Sequence, residues 1–173
     1  MREVLADMVN RFGTGNTNIV AHSLGTRGVM LALVLMAQAH KEDEPLLNQV
    51  VLIAPDIDVG IFKQYLPSIR PLARNMTVYV SSNDSPLALS KQVHGYPRLG
   101  EAGEHLEGLT DIEIIDLSDI PIRAPSGHVY HLYQSIVTED LDQLINQNQP
   151  AARRTNLKRV GENQWRLQQA EAE

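Results

Sequence analysis

The sequence predicts an α/β domain, a mainly parallel sheet of about four strands with flanking helices. Three observations carry that prediction. Short apolar runs alternate with helical stretches along the 173 residues, the order expected of successive βαβ units. The run QVVLIA at 49–54 is continuously aliphatic, as in a parallel strand covered on both faces. Ser23 and Asp84 each stand just beyond an expected strand, and His128 stands in the loop after the last one, at the carboxyl ends where an open α/β sheet builds its site.

The elements follow in order. Val4, Leu5, Met8, Val9 and Phe12 share one helical stripe. Gly13 and Gly15 end that helix. Asn18 to His22 reads as a short strand into a turn. Residues 24–40 read as a helix that is apolar on most faces, ended by the stretch Lys41 to Pro45. After the strand at 49–54 comes a short helix around 58–66. MTVYVS at 76–81 is a third strand, followed by a helix over 86–93. A loop rich in Gly, His and Pro covers 94–109. IEIIDL at 112–117 is a fourth strand. A Pro- and Gly-containing loop then leads to a last helix over 128–146. These elements form one domain over 1–147. From 148 to 173 the chain reads as a polar tail, with a small hairpin over Gly161 as the structured alternative.

Composition narrows the function classes. The chain is 43% hydrophobic, enough for a core. Fifteen Lys and Arg against 21 Asp and Glu give a net charge of −6, and aromatic content is only 5%. Neither favours a nucleic-acid partner. No cysteine is present, which removes disulfides, thiolate metal sites and Cys nucleophiles. The histidines lack metal-ligand spacing, so no metal or organic cofactor is expected. No apolar run reaches the roughly 18 residues of a membrane span, and the default expectation for compartment is the cytoplasm.

Ala21-His22-Ser23-Leu24-Gly25 lies between a strand and a buried helix. That is the setting of a nucleophile elbow, where a Ser is held proud on a tight turn at the carboxyl edge of a sheet. Such a turn is crowded, so Ala21 and Gly25 are expected to be small for steric reasons. The helix N-terminus behind Ser23 favours developing negative charge. A simple N-cap explains Ser23 but leaves Gly25 in a first helical turn unexplained. His22 neighbours Ser23 on a strand end, so its side chain points the other way.

In this arrangement the acid and the base follow the Ser in that order. Asp84 comes directly after MTVYVSSN, and Asp56 and Asp58 after the preceding strand are its rivals. His128 follows Ser126-Gly127, with His131, His94 and His105 as rivals. The base takes the proton from Ser23 and the acid orients and stabilises the imidazolium. Arg98 and His94 sit in HGYPRLG, either at a site mouth or as loop packing and solvent-facing groups.

The chain resembles a bacterial α/β-hydrolase family of unknown function. The resemblance rests on IVAHSLG at 19–25, LIAPDID at 52–58, YVSSNDSPLALS at 79–90, HGYPRLG at 94–100 and SGHVYH at 126–131. It implies Ser23, Asp84 and His128 as a triad, and hydrolysis of an ester or related acyl bond on a small-molecule acyl substrate. A complete fold of this class has roughly eight strands. The four expected here correspond to its C-terminal half, so the resemblance implies an N-terminally truncated chain, with a genuine short chain as the other reading. The early loop that donates one oxyanion-hole N–H is then missing, and the N–H of Leu24 is the remaining donor. The strand at 18–22 becomes a bare edge. A non-catalytic module that binds a partner is the alternative reading, with association through that edge.

Overall fold

The computed structural model of the chain describes residues 1–40, 44–120 and 134–168. Helix α1 spans Arg2–Phe12, β1 Ile19–His22, α2 Gly25–Ala39, β2 Leu47–Ile53, α3 Val59–Ile69 and β3 Ala73–Val80. Helix α4 spans Ser85–His94, β4 Glu113–Asp116, α5 Ser135–Ile145, β5 Leu157–Arg159 and β6 Gln164–Leu167. The sheet order is β1-β2-β3-β4-β6-β5. All neighbours run parallel except β5 and β6, which are antiparallel.

The two sheet faces follow from the strand period of two. Val50 and Leu52 of β2, Met76 and Val78 of β3 and Ile114 of β4 pack under α1, α2 and α3. Val51 and Ile53, Tyr79 and Ile115 face the opposite way, toward Leu87, α5 and Trp165. Both faces of the central strands are therefore buried, which explains their uninterrupted apolar sequence. Strand β1 stands at the sheet edge. Its Ile19 and Ala21 are buried, while Val20 on the other face is 49% exposed.

The sheet has six strands among the described residues, not four. Residues 157–167 do form a hairpin, but its second strand pairs with β4, setting Trp165 beside Ile115. Leu167, Ala151 and Arg154 are buried with the rest of the core. The small hairpin, the structured alternative for the stretch from 148, thus completes the sheet through Leu167.

A buried polar cluster fastens α5 and the 151–154 turn to that sheet. The Arg154 guanidinium donates to Asp140 and to Glu113, each at 2.8 Å. The Tyr79 hydroxyl donates to Asp140 at 2.5 Å. Glu113 also accepts from Thr77 Oγ1 and from the Ala151 N–H. Burial raises the Tyr79 hydroxyl well above its ordinary range, and the nearby Asp140 adds to the shift. Burial likewise raises Asp140, against the opposing pull of Arg154.

Candidate active site

Ser23 occupies the single-residue step between β1 and Leu24, the N-cap of α2. Its N–H continues the β1–β2 ladder by donating to the Ile53 carbonyl at 3.0 Å. Its carbonyl accepts from the Thr26 N–H at 3.1 Å and from Thr26 Oγ1 at 2.5 Å. Between these anchors the backbone takes φ +53°. A non-glycine residue rarely adopts this left-handed conformation, which costs about 1–3 kcal/mol and persists only where surroundings impose it. The Leu24 N–H makes no hydrogen bond among the described residues, and Leu24 itself is exposed.

The expected steric reason for Gly25 is not found. A Cβ placed there meets no atom of the described residues within 4 Å. The next two residues of that turn are engaged: Thr26 is fully buried, and Arg27 donates to Asp56 in the β2–α3 turn. The crowded glycine is Gly100 instead. A Cβ on Gly100 would come within 2.8 Å of the Ala54 carbonyl carbon, the Pro55 nitrogen and Leu87 Cδ1. Gly100 is crowded because the 97–100 strip crosses the ends of β2 and β3. Val59 N–H donates to Pro97 O, Leu99 N–H to Ile57 O, Gly100 N–H to Pro55 O and Ser81 N–H to Gly100 O.

Asp84 lies three residues beyond Ser81, the first residue after β3. It is 3% exposed, and its Oδ1 caps α4 by accepting from the Leu87 N–H at 3.1 Å. With β2 between β1 and β3, about 10 Å separates the two outer strand axes. The turns bearing Ser23 and Asp84 therefore follow strands that are two positions apart at the same edge of the sheet.

The rival acids are engaged differently. Asp56 accepts from Arg27 Nη2 at 2.8 Å and from Ser90 Oγ at 2.7 Å. Arg98 Nε stands 3.4 Å from its Oδ1. Asp56 N–H in turn approaches the Ser23 carbonyl at 3.4 Å. Asp58 is the N-cap of α3 and holds the Ile61 N–H at 2.9 Å. Arg98, read in the sequence as lining a site mouth or as a loop-packing or solvent-facing group, is only 4% exposed, and its Nε has no hydrogen-bond partner among the described residues.

Among the rival bases, His105 Nε2 lies 2.9 Å from the Glu101 carbonyl in a 3₁₀ turn before β4. His94 is the last residue of α4. His128 and His131 lie outside the described residues, as does the start expected for the last helix. No group of three or more His, Cys, Asp or Glu suited to a metal occurs among the described residues. No described helix is long and apolar enough to cross a membrane.

The model of one family, described as an alpha/beta hydrolase of unknown function (DUF900), matches residues 1–148. The chain belongs to this family. Membership places it, at the coarse level, among proteins of hydrolase type, and it agrees with a parallel sheet flanked by helices. No curated protein and no solved structure matches the chain.

Proposed function

We propose that the chain is a serine hydrolase of esterase or lipase type, acting on an ester or related acyl bond with Ser23 as nucleophile. The observation that carries this reading is the left-handed backbone of Ser23 at a strand-to-helix turn. A serine used only as an N-cap takes extended φ/ψ and needs no such strain. The strain makes sense for a side chain that must stand clear of the sheet edge, as in a nucleophile elbow.

Asp84 is the proposed acid and His128 the proposed base. Asp84 is favoured over Asp56 because Arg27, Ser90 and Arg98 already surround the Asp56 carboxylate. Asp58 and Asp84 each cap a helix through Oδ1, and Asp84 is favoured for its place in the buried turn beyond β3. His128 takes the Ser23 Oγ proton as Oγ attacks the acyl carbon. The oxyanion forms beside the Leu24 N–H at the start of α2, where the helix field favours it. The leaving alcohol takes the proton from His128, and water then releases the acid by the reverse sequence of transfers.

A second reading is favoured by one feature of the sheet. The edge strand β1 carries exposed Val20, and Leu24 just beyond its end is exposed too. Association with another chain through this edge would bury them. The two readings separate by assay. Turnover of a p-nitrophenyl ester that disappears in Ser23→Ala supports the hydrolase. Equal turnover by both chains, or none by a folded chain, rejects it.

A further inference from the structure

A groove of about 550 Å³ lies between α2, α3 and the 96–98 strip. Its volume falls in the range of small-molecule sites. Its walls are apolar: Leu31 and Val34 from α2, Ile57, Ile61 and Tyr65 from the β2–α3 side, and Tyr96. Leu31, Ile61 and Tyr96 are each at least half exposed. An apolar cluster left open to water in this way is costly and marks a binding surface.

One end of the groove, lined by Arg27 and Asp58, lies near the N-termini of α2 and α3, at the sheet edge that Ser23 also follows. Arg27 lines its upper end and lies four positions beyond Ser23, one helical turn along the chain. It donates to both the carbonyl and the carboxylate of Asp56, whose N–H approaches the Ser23 carbonyl. From Arg27 the helical stripe runs through Leu31 to Val34, and on α3 from Asp58 through Ile61 to Tyr65. Both stripes lead away from the carboxyl edge. Seven residues of helix rise about 10 Å. Extended chain covers about 3.5 Å for every three bonds, so the groove accommodates roughly eight or nine bonds of an alkyl chain.

Charge at the upper end is balanced. Arg27 and Arg98 face Asp56 and Asp58 there, so no net positive field awaits an anionic tail. We infer that this groove holds the acyl chain, making the substrate class an uncharged ester of a medium-length aliphatic acid. The inference rests on the serine-hydrolase reading, because it takes Ser23 as the point where the chain is anchored.

The test measures binding apart from turnover. Calorimetric titration of the full chain with 1-octanol, 1-butanol and octanoate is compared across wild type, Ser23→Ala and Ile61→Arg. Ile61 is half exposed, so the charged variant keeps its fold. Octanol is expected to bind at least tenfold more tightly than butanol and more tightly than octanoate. Ser23→Ala should bind octanol like wild type, and Ile61→Arg should lose tenfold or more. Octanol binding no tighter than butanol, or unchanged in Ile61→Arg, overturns the groove assignment. Hydrolysis of p-nitrophenyl octanoate should likewise exceed that of the acetate. A chain that binds octanol but hydrolyses no ester overturns the serine-hydrolase reading and the acyl assignment with it, leaving a groove for an aliphatic chain. A chain that hydrolyses the acetate but does not bind octanol overturns the groove alone.

Discussion

Arg154→Met is expected to be among the most damaging single changes in the chain. The Arg154 side chain is fully buried, and Asp140 beside it is 1% exposed. Removing the guanidinium leaves the Asp140 carboxylate in the interior with only the Tyr79 hydroxyl as a donor. Its Oδ1 has no hydrogen-bond partner even in the intact cluster. Breaking a buried pair from one side costs about 3–5 kcal/mol. Against a total stability of about 5–15 kcal/mol, that is a large fraction. At about 2–4 °C per kcal/mol for a chain of this size, Tm falls by roughly 6–20 °C. Urea unfolding should show a lower midpoint with an unchanged m value, since the surface exposed on unfolding is the same. The double variant Arg154→Met with Asp140→Leu removes both charges and should recover part of the loss. A single variant that loses less than about 1 kcal/mol would refute a desolvated ion pair at this position. So would a double variant whose loss is simply the sum of the two singles.

Two further predictions concern packing and pH. Gly100→Ala forces a Cβ against the backbone of Ala54 and Pro55, and overpacking of this kind costs about 1–3 kcal/mol. It should also lower turnover, because the same strip ties the β2 and β3 ends on either side of which Ser23 and Asp84 sit. An unchanged Tm would mean the strip moves freely. The Tyr79 hydroxyl keeps its proton in the folded chain at pH values where the unfolded chain loses it. Its contribution is therefore complete below about pH 10 and is lost as pH rises toward the folded value. Tm should fall above pH 10 more steeply in wild type than in Tyr79→Phe, and parallel curves would contradict this.

Strands β2 and β3 were legible in the sequence because burial on both faces leaves an unbroken apolar run. The hairpin at 157–167 was only half legible. Gln164-Trp165-Arg166-Leu167 alternates with the strand period, but its partner β4 is about fifty residues earlier, and nothing local encodes that pairing. Arg154 was read as part of a polar tail, since charged residues are almost never fully buried without a partner. Its partners Tyr79 and Asp140 lie 75 and 14 positions away. The strand–turn–helix setting of Ser23 was visible, whereas its left-handed backbone and the open space at Gly25 were not. The difference arises because crowding depends on which elements cross the turn. Here the 97–100 strip crosses the β2 and β3 ends, and the signal lies in the Gly100 of HGYPRLG. Asp56, Asp58 and Asp84 look alike in sequence because each follows a strand. Asp56 separates from the other two through Arg27, Arg98 and Ser90, which converge on it from three different segments.

The central claim is that Ser23 is an activated nucleophile. Intact-mass analysis of the folded chain after exposure to a fluorophosphonate, with Ser23→Ala alongside, tests it most directly. The account predicts one covalent adduct, located on Ser23 by peptide mapping and absent from the variant. An unlabelled folded chain, or an adduct that survives in Ser23→Ala, would contradict it.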